Sequence, residues 1–154
     1  MRSELKIWID GDACPVKIKE ILFKAANRTQ TEVVFVANQF LSIPASKWVR
    51  RMVVGKGFDV ADDFIVQSVT KGDVVISADI PLAHDAIENG AIVLSPRGKL
   101  YHQNNIKQAL AMRDFNTTLR DSGVNMTGPS KISEQDVRRF ANELDKILAQ
   151  KRKA

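Results

Sequence analysis

The sequence predicts an α/β protein of three layers, in which a central, mainly parallel sheet of about five strands lies between helices and is followed by C-terminal helices. The first observation is that short apolar segments alternate with amphipathic helical segments over the first hundred residues. The second is that the strand segments are apolar without interruption, as expected when both faces of a sheet are covered. The third is that residues 1–154 contain no internal repeat or linker, so a single domain is expected.

The first strand is predicted over residues 6–10, where three apolar residues lead directly into Asp10. Pro15 suits the first turn of the following helix, because its missing N–H would have no partner there, and this helix is predicted to reach about Asn27. A second strand over residues 32–37 contains four consecutive β-branched or aromatic residues. A helix between two such strands is typical of a parallel pair joined by a right-handed crossover.

The same alternation continues to residue 94. Gly55 and Gly57 follow a third short strand, Pro81 suits the start of a helix, and Gly90 suits the position after its end. The predicted elements are a strand at 51–54, a helix at 59–69, a strand at 74–77, a helix at 81–89 and a strand at 91–94.

The pattern changes after residue 100, where helices are predicted without strands. One helix is expected over residues 104–122, and a loop containing Gly and Pro over residues 125–131. The last helix is predicted to begin at Ser133, because Ser133 and Asp136 resemble a capping box with the shorter acid. These helices are expected to pack on the sheet or to extend around its edge.

Composition restricts the class of protein more than its function. The net charge of +5 permits a polyanionic partner such as nucleic acid but does not establish one. No apolar run could span a bilayer and no signal peptide is recognisable, so we expect a cytoplasmic protein without a membrane partner. The single cysteine, Cys14, is expected to be a small buried residue rather than a nucleophile. A homodimer is compatible with the sequence, which does not fix the oligomeric state.

Acidic residues follow the predicted strands at the edge where ligands bind in open α/β sheets. Several carboxylates brought together repel one another unless a cation lies between them, and hard divalent cations prefer oxygen ligands. The two histidines, His84 and His102, match no zinc spacing. The sequence therefore predicts a Mg²⁺ or Mn²⁺ site, whose candidate ligands are Asp10, Asp12, Asp62, Asp63 and Asp79.

Each acid also has a structural interpretation. Asp12 could cap the helix near Pro15, and Asp59 could cap its own helix, with Asp62 and Asp63 favouring the positive end of the helix dipole. Asp10 is the hardest to interpret in this way, because an acid that ends a buried apolar strand needs a partner. Two further acids are expected to be structural or solvated, namely Asp73 in a Lys-Gly-Asp turn and Asp85.

Four motifs closely resemble the bacterial YaiI/YqxD family, and the likeness covers nearly the whole chain. They are Ile-Asp-Gly-Asp-Ala-Cys-Pro from Ile9, Asp-Val-Ala-Asp-Asp-Phe-Ile from Asp59, Val-Val-Ile-Ser-Ala-Asp-Ile-Pro-Leu-Ala from Val74, and Ser-Pro-Arg-Gly from Ser95, with matches also at 127–129 and 136–140.

A weaker resemblance is to PIN-like nucleases. Ala61-Asp62-Asp63 and Ser77-Ala78-Asp79 are similar to the Ala-Asp-Asp and Gly-Asp pairs of structure-specific 5′ nucleases. The resemblance implies a PIN-like fold, a Mg²⁺ or Mn²⁺ site at Asp10, Asp62 or Asp63, and Asp79, and catalytic roles for Asp10, Asp62 and Asp79. Asp12, which would help directly or through water, and the following Cys-Pro are not part of that pattern.

The leading functional prediction is a metal-dependent phosphodiesterase with nucleic acid, RNA in the first place, as its partner. Substrate contacts are expected from Asn38, Lys47, Arg50 and Arg97, with Lys17 and Arg51 as further candidates. Trp48 and Tyr101 are expected either to stack on bases or to pack in the core.

Two alternative functions stay open. One is a haloacid-dehalogenase-like phosphatase with Asp10 as nucleophile and Asp12 as acid and base, and the other is a non-catalytic nucleic-acid-binding protein.

Overall fold

The structure is a computed structural model that describes residues 5–57, 59–123 and 131–153. In these ranges it contains six strands and five α-helices. The strands are β1 (Lys6–Asp10), β2 (Glu32–Ala37), β3 (Val49–Val53), β4 (Val74–Ile76), β5 (Ile92–Leu94) and β6 (Leu100–Tyr101). The helices are α1 (Val16–Thr29), α2 (Val60–Ser68), α3 (Ile80–Glu88), α4 (Ile106–Asp121) and α5 (Glu134–Lys153).

One sheet holds all six strands in the order β3-β2-β1-β4-β5-β6, and only the β5–β6 pair is antiparallel. The chain builds the sheet outward from β1 in one direction through β3, and then in the other direction from β4. The strand order therefore reverses between β1 and β4. In open α/β sheets the crevice outside the carboxyl ends of such strands is where ligands bind.

Helices cover both faces of the sheet and give the three layers that the sequence predicts. Helices α1 and α5 pack on the face that carries Ile7 and Ile9. Helices α2, α3 and α4 pack on the opposite face, which carries Trp8. Because side chains alternate between the two faces of a strand, burial on both sides requires an uninterrupted apolar strand, as in β1 and β2.

The element positions agree with the sequence prediction to within two residues for most of the chain. The expected sheet of about five strands has six, because β6 is a two-residue strand that pairs with β5. The capping box is confirmed, since the Asp136 N–H donates to Ser133 Oγ at 3.0 Å and the Ser133 N–H donates to Asp136 Oδ2 at 3.1 Å. The predicted loop at 125–131 lies outside the described residues except for Lys131, as does the matched segment at 127–129.

No helix in the described part of the chain is both long enough and apolar enough to cross a membrane.

Candidate active site

Three carboxylates from different elements meet at the carboxyl ends of β1 and β4. Asp10 is the last residue of β1, Asp79 occupies the N-cap position of α3 directly after β4, and Asp62 lies in the first turn of α2. Their charges act on one another. In addition to burial, the charges of Asp79 and Asp10 raise the pKa of Asp62, and the charge of Asp79 raises the pKa of Asp10. We call Asp10, Asp62 and Asp79 the acidic trio. The structure thus brings together the three residues that the sequence proposes as catalytic.

Asp10 is a half-buried carboxylate among other carboxylates. Burial is the main cause that raises its pKa above the ordinary range, and the charges of Asp12 and Asp79 raise it further. In the described residues its carboxylate accepts no hydrogen bond, and no cation lowers its pKa. An acid in this setting is destabilised in its charged form unless a positive group is supplied.

Asp62 and Asp79 form the second half of the trio. The pKa of Asp62 is raised to about 6. Burial is the largest cause, and the charges of Asp79, Asp10 and Asp59 and a hydrogen bond with the Asp79 carboxyl group also contribute. Asp79 is fixed in place, because its Oδ1 accepts the Leu82 N–H at 3.0 Å at the start of α3.

A cavity of about 250 Å³ adjoins the trio on the side of α2 and α3. Five of its lining residues are acids, namely Asp59, Asp62, Asp63, Asp79 and Asp85. Arg113 of α4 is the only cation among the described residues that line it, and its Nη1 lies 3.2 Å from the neighbouring Asp114. The sequence did not single out Arg113, because its position depends on how α4 lies against α3. A polar cavity with acids and one guanidinium is suited to a ligand that carries both phosphate and cations.

Asp12 does not cap α1, which is the structural role that the sequence suggests for it. The N-cap of α1 is Pro15, and no side chain caps that helix. Asp12 instead accepts the Asn38 N–H at 2.9 Å through Oδ2, which links the stretch after β1 to the end of β2. Gly11 between the two acids is closely packed, since an added Cβ would lie 2.6 Å from Leu41 Cδ1. Asp12 is exposed and held beside the trio.

Four other acids, for which the sequence suggests capping, structural or solvated positions, are described by the structure. Asp59 lies at the N-cap position of α2 with φ of 65°, but its side chain makes no capping hydrogen bond. Asp63 lies in the first turn of α2 and is exposed. Asp85 is exposed, as expected. Asp73 is structural, as expected, and is tied to β1 and to Thr70 by hydrogen bonds.

The donor set of the trio fits a hard divalent cation. Carboxylate oxygens are the ligands that Mg²⁺ and Mn²⁺ prefer, and a Mg²⁺ site commonly uses one or two carboxylates together with water and substrate phosphate. Among the described residues, only His84, Asp85 and Glu88 bring three possible ligand atoms within 4.8 Å of one another. The carboxylate oxygens of the acidic trio, taken as a set, are therefore more widely spaced than this. His84 Nδ1 lies 3.2 Å from the Asp85 carboxylate, and His84 Nε2 lies 3.3 Å from the Glu88 carboxylate. Each ring nitrogen thus faces its own carboxylate, as in two side-chain pairs, and the two nitrogens do not face a common ion.

The cations proposed for substrate contact do not line the acidic cavity. Arg50 pairs with Glu32 at 2.8 Å, and Arg97 pairs with Asp136 at 2.8 Å beside the capping box of α5. Lys47 lies over the Trp48 ring, with Nζ 5.1 Å from the ring centroid. Lys17 is exposed on α1, which covers the opposite face of the sheet.

Core packing accounts for three other candidates. Trp48 is partly buried against the core on the α1 and α5 side, and Tyr101 is buried on the other side of the sheet. Cys14 is buried, and burial raises the pKa of its thiol to about 12. A thiol with such a pKa is a poor nucleophile near neutrality, which agrees with the expected structural role.

Comparison with known proteins identifies close relatives along almost the whole chain. The model of the family described as "Uncharacterized BCR, YaiI/YqxD family" matches residues 8–150. A UPF0178 protein of Pseudoalteromonas translucida is 57% identical over 147 residues, which are 95% of this chain and 97% of the relative. UPF0178 proteins of Marinomonas sp. and Pectobacterium atrosepticum are 55% and 53% identical, and each alignment spans 97% of this chain and 100% of the relative.

Proposed function

The chain belongs to the YaiI/YqxD family, and we propose that it is a Mg²⁺- or Mn²⁺-dependent nuclease that hydrolyses phosphodiester bonds, with RNA as the expected substrate. The observation that carries this proposal is the acidic trio. Asp10, Asp62 and Asp79 come from three elements, and burial together with the charges of Asp79 and Asp10 raises the pKa of Asp62 to about 6. A divalent cation would remove this repulsion, and the PIN-like resemblance supports the same three residues.

Each acid has a role in the proposal. Asp10 and Asp79 would hold the ion, and Asp62 would complete the site. Asp12, which is held by the Asn38 N–H, would assist directly or through water, and Asp63 would act at the rim of the cavity. When bound, the ion would neutralise charge on the phosphate and make water a stronger nucleophile.

Proton transfer is assigned to Asp62. Its carboxyl group lines the cavity beside the two acids that would hold the ion, so it can accept a proton from water bound there. Its neighbour Asp79 is held in place by the Leu82 N–H at the N-cap position of α3. Asp62 would take up the proton at a carboxyl oxygen.

Arg113 is the residue of this site that would contact the phosphate directly. Its guanidinium lines the cavity together with Asp62 and Asp79. Guanidinium groups bind phosphate oxygens through paired hydrogen bonds, so Arg113 would orient the substrate without taking part in proton transfer.

The test is a cleavage screen with labelled single-stranded RNA, duplex RNA and single-stranded DNA, in Mg²⁺, Mn²⁺ or EDTA. We expect cleavage that requires the metal and is lost in Asp79→Asn, because asparagine can still cap α3 but is a weaker metal ligand. Asp121→Asn, which changes an exposed acid at the end of α4, is the matched control and should cleave like the wild type. If no substrate is cut in either metal, the nuclease proposal is wrong, and binding without cleavage would favour a nucleic-acid-binding protein.

A phosphatase that uses Asp10 as nucleophile is the second candidate, favoured by the nearby charge of Asp12. Such an enzyme forms an aspartyl-phosphate. The experiment is to quench a reaction with a phosphomonoester in acid and to analyse the peptide that contains Asp10 by mass spectrometry. A phosphorylated Asp10 would support the phosphatase, whereas metal-dependent cleavage of RNA without it would support the nuclease.

A further inference from the structure

An exposed aromatic ring follows β2 at the end of the sheet that carries the acidic trio. Phe40 follows β2 and is 67% exposed, so its ring contributes little to the core. The guanidinium carbon of Arg51 lies 4.1 Å from the centroid of this ring, and Arg51 Nη1 donates to the Leu41 carbonyl oxygen at 3.3 Å. We call Phe40 and Arg51 the Phe40–Arg51 platform. A single exposed apolar residue is common on protein surfaces, but here its ring also carries a cation.

The loop that carries Phe40 is attached to the stretch after β1. Asn38 donates its N–H to Asp12, and Leu41 lies against Gly11, so contacts on both sides of Phe40 join it to this stretch. Strands β1 and β2 are parallel and paired up to Asp10, which places both strand ends at one edge of the sheet. The platform therefore lies at the same end of the sheet as the acidic trio.

The chain segment that contains the platform is rich in positive charge. Between Glu32 and Asp59 the sequence contains no acid, but it contains the four cations Lys47, Arg50, Arg51 and Lys56. All four are exposed, and β3, which carries two of them, is the edge strand of the sheet. Lys47 precedes β3 and Arg50 pairs with Glu32 at 2.8 Å, whereas Lys56 follows β3 on the side of the carboxyl ends. The acids, by contrast, line the cavity on the other side of β1. The cations thus follow β3 along the outer side of the sheet, which we call the positive edge, and the acids lie beyond β1.

We propose that the Phe40–Arg51 platform stacks a base of a single-stranded nucleic acid whose backbone follows the positive edge toward the acidic trio. Aromatic rings bordered by lysine and arginine bind single strands by this combination of stacking and phosphate contacts. A duplex would keep its bases paired and leave the ring without a stacking partner. This inference rests on the proposed function because it names the form of the substrate, but its test does not require cleavage.

The test is a binding titration by fluorescence anisotropy in EDTA, where a metal-dependent nuclease cannot degrade the probe. The probes are a fluorescein-labelled oligouridine of about 12 nucleotides and a blunt RNA duplex of the same length. We expect Phe40→Ala to weaken binding of the single strand about tenfold and to leave duplex binding unchanged. Phe40→Tyr, which keeps a stacking ring, should bind within about twofold of the wild type.

The matched control is Phe115→Ala, since Phe115 is a phenylalanine of similar exposure, 58%, on α4, which packs against α3 and not against β3. It should bind both probes like the wild type. The proposal is overturned if the wild type does not bind the single strand, if Phe40→Ala binds it equally well, or if Phe40→Ala weakens both probes to the same extent. Phe40-dependent binding in a protein that cuts nothing would support the platform and contradict the nuclease, so the two failures are distinguishable.

Discussion

The two ends of the sheet both contain a buried or half-buried aspartate near β1, and the two have opposite surroundings. Asp73, at the amino ends of the strands, is only 2% exposed. Its carboxylate accepts hydrogen bonds from the Lys6 N–H at 3.1 Å, from Trp8 Nε1 at 3.0 Å, and from the Thr70 N–H and Oγ1 at 3.0 and 3.2 Å. Asp10, at the carboxyl end, is surrounded by other acids.

This contrast shows that burial by itself does not identify a functional acid. Around Asp73 the protein supplies four donors, which replace the water that the carboxylate loses on folding, so the charge stabilises a turn against β1. Around Asp10 the protein supplies charges of the same sign. A protein keeps such an arrangement at a cost in stability, and a ligand of opposite charge is the simplest compensation.

The same Asp→Asn change at the two ends should have opposite effects on stability, and at Asp10 it should also remove activity. Asp10→Asn deletes a charge from the acidic trio, so we expect a higher midpoint of urea unfolding in EDTA. In the proposed nuclease it should lower metal-dependent cleavage at least about 100-fold, because it removes a metal ligand. Both are measured on one preparation, and a loss of both stability and cleavage would mean that Asp10 is a structural acid like Asp73.

Asp73→Asn should destabilise the protein without changing the activity of the folded molecules. The asparagine amide would place N–H groups against the N–H donors that now point at the carboxylate, which costs about 2 kcal/mol. Urea unfolding measures the change, and cleavage is compared at equal concentrations of folded protein.

The control for Asp73→Asn is Asp121→Asn, because Asp121 is exposed at the end of α4. Its effect on the free energy of unfolding should stay within about 0.5 kcal/mol. An Asp73→Asn variant that is as stable as this control would show that the four hydrogen bonds do not stabilise the turn.

Most of the fold could be predicted because its elements have strong local signals. The strands β1 and β2 have the predicted bounds, since each is a run of apolar residues that ends in polar ones. The two-residue strand β6 has no such pattern, because it exists only through its pairing with β5. β3 begins two residues before the prediction, since Val49 is buried while the rest of this edge strand is exposed.

The three acids of the candidate site could be predicted from the sequence, Asp62 through the Ala-Asp-Asp resemblance and the other two from their positions after strands. Asp10 and Asp79 were recognised because parallel strands bring their carboxyl ends together. Arg113 and Phe40 were missed, since Arg113 reaches the cavity through the position of α4 on α3, and Phe40 lies in an irregular segment. Charge patterns alone also suggested Arg50 and Arg97, which are held in ion pairs outside the cavity.

Arg113→Ala extends the comparison to the cation of the cavity. In the proposed nuclease we expect about a tenfold loss in kcat/KM, in the range of a charge-assisted hydrogen bond to phosphate, with almost no change in stability because the side chain is half exposed. Arg120→Ala on the last turn of the same helix is the control and should retain full activity. If both variants are equally active, Arg113 does not contact the substrate.

The smallest expected effect is the pH dependence of stability that Asp62 produces. Its pKa is about 6 in the folded protein and 3.8 is the ordinary value, so between these values the folded state holds a proton that the unfolded chain has released. The stability contributed by this group therefore falls as pH rises from 3.8 to about 6, and it stays low above that range. We expect an effect below about 1 kcal/mol, because water screens a partly exposed carboxyl group.

Comparison of the wild type with Asp62→Asn isolates this effect. Asp136 gives stability the opposite pH dependence, because the Ser133 N–H and hydroxyl, Arg97 and Arg139 lower its pKa. Asp136 is present in both proteins, so its contribution cancels in the difference. In EDTA the variant should gain stability relative to the wild type as pH rises from 4 to 7, when both are followed by urea unfolding. Saturating Mn²⁺ should reverse the order at pH 7, because the wild type then binds the ion more tightly. A difference that does not change with pH would mean that Asp62 is not coupled to Asp10 and Asp79, and that the two ends of the sheet differ less than their surroundings indicate.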